Sequence, residues 1–253
     1  MIDLQKASLG KRIVAVIFDG ILLSIIAVAF AAMLSTLFGY DGYMDTVNDA
    51  YMRYEAEYNI EFQITQQQYE ELSEQQRRNY TDAQQAINND AAVVYAYNML
   101  INLTMLILTL SVLIGVLVSD FVVPLFFGNG QTLGKKIFGI GIMHTEGIRV
   151  KTVQLFIRTV LGKFAFELMI PLYIIMMIFF NSIGMVGALV LLALAVSQII
   201  CLCTSRTNSF LHDVMAGTVA VDIASQRIFE NREQLIEYTK ALHAERAARS
   251  EYS

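Results

Sequence analysis

Residues Ile13 to Phe38 read IVAVIFDGILLSIIAVAFAAMLSTLF, with Lys11 and Arg12 directly before them. This run of about 26 mostly apolar residues is long enough to cross a bilayer core with some tilt. Two charges mark it, Arg12 at the entry and Asp19 inside. They lie nearly two helical turns apart and so share a face, about 10 Å from each other along the axis. A carboxylate that deep in lipid is costly, so it must face protein, water or a cation rather than acyl chains. The basic start and the Ala-x-Ala steps at Ala27–Ala29 and Ala29–Ala31 resemble a secretory leader. The length of the run, its internal Asp19 and the spans that follow make it a retained span instead.

Composition places the whole chain in the same class. The 253 residues are 55 % hydrophobic, with two prolines and no tryptophan, and the mean hydropathy is positive. With several long apolar runs, this indicates an integral membrane protein whose main partner is the lipid bilayer. The formal net charge of −5 hides a segregation of charge by segment. No basic stretch is rich enough to point to nucleic acid. Cys201 and Cys203 are the only cysteines. Two apart on a helix, they do not face each other, and they read as small buried side chains rather than a disulfide or metal site.

The chain leaves the first span at Gly39. Residues 39–92 are acidic, with Asp41, Asp45, Asp49, Glu55, Glu57, Glu61, Glu70, Glu71, Glu74, Asp82 and Asp90 against Arg53, Arg77 and Arg78. Thr65 and Thr81 read as helix starts. The segment is expected to be a helical excursion into water, packed together by Tyr51, Tyr54, Tyr58 and Tyr69. A second span follows over 93–127. It contains Asp120 and is expected to tilt or break near Pro124. Asn98 and Asn102 share a face and suit interhelical hydrogen bonds.

Residues 128–163 are basic, through Lys135, Lys136, Arg149, Lys151, Arg158 and Lys163 against Glu146. This excess, with that before the first span, puts both on the cytoplasmic side and the acidic excursion outside. Within it, 139–142 and 148–151 alternate with period two around His144-Thr145-Glu146-Gly147, which predicts a small cytoplasmic β-hairpin. An amphipathic stretch over 153–161, capped by Thr152, leads to a third span over 164–180. There Lys163 and Glu167 are spaced for a same-face pair. Asn181-Ser182-Ile183-Gly184 reads as an outer turn, and a fourth span runs from 184 to about 203 with Ser197 and Gln198 as its polar residues. Beyond it, Phe210 to Met215 form a short amphipathic helix capped by Asn208 or Ser209, and residues 223–253 a charged cytoplasmic tail helix. The fold predicted is an all-α integral protein of the cell membrane, a four-span helical bundle with both termini cytoplasmic.

Three passages are specific when taken together in this order: Lys11-Arg12 through Asp19, Gln131-Thr132-Leu133-Gly134-Lys135-Lys136, and Leu211-His212-Asp213 through Ala216-Gly217-Thr218. The chain resembles the RDD family of membrane proteins over residues 5–222, less the 39–92 excursion. By that resemblance Arg12 is the family's arginine, Asp19 its first aspartate and Asp213 its second. It implies a helical membrane domain, 1–222, whose relatives include cation/proton antiporters and parts of membrane assemblies.

No phosphate loop, HExxH or nucleophile elbow is present, so no enzyme and no cofactor is expected. The proximity of Ser209, His212 and Asp213 does not make a triad, and three histidines do not suggest a metal centre. Two functions compete. One is transport of a small monovalent cation or proton, with Asp19, Asp120 and Glu167 as candidate binding groups. A four-helix core fills with side chains, so a transporter is expected to be a homo-oligomer. The other is a scaffold or assembly factor that recruits partners through the excursion and tail. Arg12 and Asp213, both placed at the cytoplasmic mouth, are predicted to form a structural ion pair.

Overall fold

A computed structural model describes residues 5–179, 182, 184–205 and 209–251. Among the described residues, four helices are long and apolar enough to cross a membrane: Leu9–Leu37, Ala91–Phe127, Thr152–Phe179 and Gly184–Thr204. The chain is 77 % helical with one two-stranded sheet, an all-α membrane protein. It divides into two compact units, residues 28–111 and residues 1–27 with 112–253.

In the first of these, helix α1 (Leu9–Leu37) ends at Gly39, whose φ of 67° turns the chain into α2 (Tyr40–Tyr58). Helices α3 (Gln66–Glu71) and α4 (Glu74–Asn89) then lead to α5 (Ala91–Val116). Thr65 starts α3 as expected, with a capping box completed by Gln68. Thr81 does not start a helix. It sits inside α4, its hydroxyl donating to Arg77 O at 2.9 Å. The start belongs to Ser73, which accepts from Gln76 N while the Gln76 side chain reaches back. That reciprocal pair satisfies two end donors, and the helix it starts runs on through Thr81 to Asn89. Val47, Ala96 and Leu100 form one small core, and Ala50, Ile87 and Val93 another. Edge-on rings of Tyr51, Phe62, Tyr80 and Tyr69 close the excursion. Asn98 and Asn102 lie exposed on α5.

In the other unit, α5 passes into a π-helical turn, Leu117–Val122, and then α6 (Val123–Phe127), which ends at Gly128. The disturbance expected at Pro124 takes this form. Proline has no N–H to give the preceding turn, and a widened turn absorbs the lost bond. Helix α7 (Leu133–Ile137) is capped by the Thr132 side chain. The third spanning helix is continuous: α8 (Thr152–Phe156), a π-helical stretch Ile157–Met169, and α9 (Ile170–Phe179). No separate surface helix precedes it, and its N-cap is Lys151 rather than Thr152. Helix α10 (Gly184–Thr204) is the fourth span. Helix α11 (Leu211–Ala216) has Phe210 at its N-cap, without a side-chain cap, so Ser209 does not cap it. Asn208, Asn181 and Ile183 lie outside the described residues.

The predicted hairpin is corrected. Strand β1 (Ile140–His144) pairs antiparallel with β2 (Thr218–Asp222), from Ile140↔Asp222 to His144↔Thr218. Residues 148–151 contribute two isolated bridges, Met143↔Arg149 to β1 and Ile148↔Phe229 to the chain beyond β2. The reason is burial. Ile140, Ile142, Met143, Val219 and Val221 are almost fully enclosed, and β2 supplies apolar side chains on both faces where 148–151 would bring Arg149 and Lys151. Gly217, at φ 62°, ends α11 and turns the chain into β2. The amino-terminal lead lies along β2, with Ala7 N donating to Ala220 O at 3.3 Å and Asp222 N to Gln5 O at 3.1 Å. The tail helix starts later than 223: Phe229 is buried and exchanges backbone hydrogen bonds with Gly147 and Arg149, and α12 spans Arg232–Glu251.

Candidate functional site

Helix α1, the QTLGKK turn, both π-helical stretches and α11 converge on one cavity of about 130 Å³. Its wall holds four carboxylates, Asp19, Asp120, Glu167 and Asp213, and four bases, Arg12, Lys135, Arg158 and Lys163. Their formal charges cancel. Charges buried away from water must be paired and hydrogen-bonded, and the network divides into three clusters.

Asp19, 4 % exposed, accepts from the Thr132 hydroxyl and from Gly134 N, the latter at 2.8 Å. The backbone can come this close because residue 134 is glycine. A Cβ there would lie 2.5 Å from Ala15 O and 2.9 Å from Asp19 Oδ1. The nearest cation is Lys135, with Nζ 3.8 Å from Asp19 Oδ2 and 3.2 Å from Thr132 Oγ1. Burial, then the charges of Arg158 and Lys163, bring the Lys135 ammonium down to about 8, against the pull of Asp120 and Asp19.

Asp120 sits on the π-helical turn of the second span. Its Oδ1 accepts from Lys163 Nζ at 2.6 Å and its Oδ2 from Ser119 Oγ at 2.8 Å. Lys163 was expected to pair with Glu167 four residues on. The wide turns of Ile157–Met169 break that α-helical register and bring Lys163 to Asp120 instead.

The third cluster joins span three to α11. Arg158 Nε donates to Asp213 Oδ1 at 2.8 Å, and Thr218 Oγ1 donates to the same oxygen at 2.9 Å. Burial alone would raise the Asp213 carboxyl, but the Arg158 guanidinium, His212 and Thr218 outweigh it and hold it well below the usual carboxylate range. His212 Nδ1 lies 2.8 Å from both oxygens of Glu167, and its Nε2 lies 2.9 Å from Arg158 Nη2. Gln198 of α10 donates to Glu167 at 2.9 Å and accepts from Leu211 N at 3.1 Å. The close ion pair on Asp213 comes from Arg158, while the predicted partner Arg12 interacts with the Asp213 charge electrostatically. Arg12 shares the cavity and donates through Nη2 to Ala220 O at 2.7 Å, tying α1 to β2.

The structure thus brings together all five residues singled out from the sequence. Sequence reasoning missed Thr132, Lys135, Arg158 and His212 as parts of the site and gave Lys163 the wrong partner. Arg158 had a signal: it is a lone charge in the apolar run LFIRTVLG, where a solvated base is out of place. Glu167 is committed to His212 and Gln198, which separates it from the Asp19 cluster. Among the described residues no group of three His, Cys, Asp or Glu side chains is arranged to hold a metal ion.

Fold and site define a helical membrane protein with a buried, charge-balanced polar cluster between its helices and its small sheet. The chain belongs to the RDD family, whose model matches residues 6–217. No curated protein and no solved structure matches it. Arg12 and Asp19 on α1 and the distant Asp213 line the same cavity.

Proposed function

We propose that this protein is a transporter, not an enzyme, that exchanges a small monovalent cation for a proton, with Asp19 as the carboxylate that holds the cation. One observation carries the reading. Asp19 is buried within the first span, yet its cationic neighbour stands off at 3.8 Å, while Asp120 and Asp213 are bonded to theirs at 2.6 and 2.8 Å. Of these three carboxylates, Asp19 is therefore the one at which an incoming cation displaces least. A deep acid in a membrane span is a functional-site hypothesis by default, and antiporters among the family's members agree with it. A cavity of about 130 Å³ has room for a partly hydrated small ion, and a four-helix core otherwise filled by side chains favours a homo-oligomer as the working unit. The basic 128–163 segment supports an orientation in the cell membrane with both termini cytoplasmic and 39–92 outside. Labelling of single cysteines at Gln67 and Ser225, in a background lacking Cys201 and Cys203, tests this; cytoplasmic labelling at Gln67 reverses it.

The competing reading is a scaffold. It draws on the same charge balance, which a purely structural network also needs. Cation-driven proton flux in proteoliposomes decides between them. Asp19→Asn is expected to abolish flux while leaving folded protein in the membrane. Flux unchanged in the variant removes the proposed site, and no flux in the native protein with Na⁺, K⁺ or Li⁺ favours the scaffold.

A further inference from the structure

His212 has two complete sets of partners within reach. A guanidinium only donates, so Arg158 Nη2, 2.9 Å away, makes Nε2 an acceptor. The hydrogen-bond partners therefore assign a neutral ring whose Nδ1–H donates to Glu167. Nε2 also lies 3.5 Å from Asp213 Oδ2. A proton arriving on Nε2 turns that atom into a donor. It then repels Arg158 Nη2 and faces Asp213, leaving the imidazolium between two carboxylates. Arg158 keeps its Nε bond to Asp213 Oδ1. Phe210 stacks on the ring at 5.8 Å, and a Cβ on Gly162 would lie 2.5 Å from His212 Cβ. The ring is thus held, and partners change with little movement.

We propose that His212 is the group that takes up the exchanged proton, and that its protonation and cation binding at Asp19 exclude each other. The inference rests on the exchange reading above. With His212 neutral, the cavity's eight charged side chains cancel; besides Glu167, Arg158 and Asp213, the histidine shares the cavity with Lys163, Asp120, Lys135, Arg12 and Asp19. A proton on Nε2 or a cation on Asp19 each adds one positive charge. Both together leave two uncompensated charges in one low-dielectric space, which repel strongly. One proton in for one cation out follows, and the exchange is electroneutral. The only covalent change is the N–H bond made or broken at Nε2.

The test is proton release on cation addition to the full-length protein in detergent, with NaCl and KCl as probes and calorimetry reporting binding separately. The native protein is expected to release about one proton per cation bound, and its cation affinity to fall up to tenfold per pH unit on the acid side, as linkage requires. His212→Asn, whose amide N–H can still donate to Glu167, and His212→Gln, whose carbonyl can still accept from Arg158, are expected to bind cation without proton release or pH dependence. Binding with release retained in both variants overturns the assignment, and loss of release in Lys135→Met instead transfers the role to Lys135. No cation binding in the native protein overturns the exchange reading itself, and this inference with it. Nitrogen chemical shifts of ¹⁵N-labelled histidine, assigned by difference from His212→Asn, give a check independent of transport: an Nε2–H tautomer in the neutral state refutes the proposal.

Discussion

Arg158→Met, which removes the guanidinium and keeps much of its bulk, probes how Asp213 is held at the junction of span three and α11. Asp213 is 2 % exposed and Arg158 4 %, so neither charge can turn to water when its partner is lost. Removing one member of such a buried pair typically costs about 3–5 kcal/mol, mostly through the charge left behind. In the variant, Asp213 keeps the Thr218 hydroxyl at 2.9 Å, worth about 1 kcal/mol net, and has His212 nearby. A loss of about 3 kcal/mol is expected. Asp213→Asn strands Arg158 in the same way, though the amide oxygen still accepts from it, and is expected to cost about 2 kcal/mol. With both substitutions no lone charge remains, so the double variant is expected to lose no more than Arg158→Met alone, a coupling of about 2 kcal/mol. Unfolding by SDS titration in mixed micelles, run as a double-mutant cycle, measures it. Losses that add to within about 0.5 kcal/mol would show that the two side chains do not depend on each other, and would refute the account of this cluster.

Two further outcomes follow from the Asp19 cluster. Gly134→Ala puts a Cβ 2.5 Å from Ala15 O, a backbone atom that cannot swing aside, so a loss of about 1–3 kcal/mol is expected; Gly20→Ala, with nothing within 4 Å of the added carbon, is the control and is expected to match the native protein. Lys135 releases its proton at about 8 when folded, against 10.5 ordinarily. Between those values the unfolded chain binds more protons, so native stability is expected to rise with pH, by about 3 kcal/mol in all. Lys135→Met is expected to lack that rise, and thermal unfolding of both proteins from pH 7 to 10 checks it, a fall in native stability relative to the variant being the contrary result.

Much of the architecture was legible because lipid imposes simple rules on sequence. A spanning helix must satisfy its own backbone polar groups and show an apolar surface, so length and hydropathy alone marked the four spans. Asp19 and Asp120 stood out for the same reason, as charges where lipid tolerates none. Thr65 was readable as a cap because capping is local in sequence. The strand pairing was not, because β1 and β2 lie far apart in the chain and the nearer partner, 148–151, had an acceptable alternation. What excluded it was the burial of both faces of β1, a property of the folded surroundings.

Legible in the sequence were the class of protein, the four spans, the acidic 39–92 segment and, through resemblance, Arg12, Asp19 and Asp213 as candidates. These depend on composition, on local spacing and on the cost of charge in lipid, none of which needs a tertiary contact. Only the tertiary structure decided which charge meets which. Arg158 rather than Arg12 makes the close bond to Asp213, and Lys163 turns to Asp120 rather than Glu167. The physical reason is that the π-helical turns shift side chains off α-helical register, and a buried ion pair is chosen by distances of an ångström or two that no spacing rule contains.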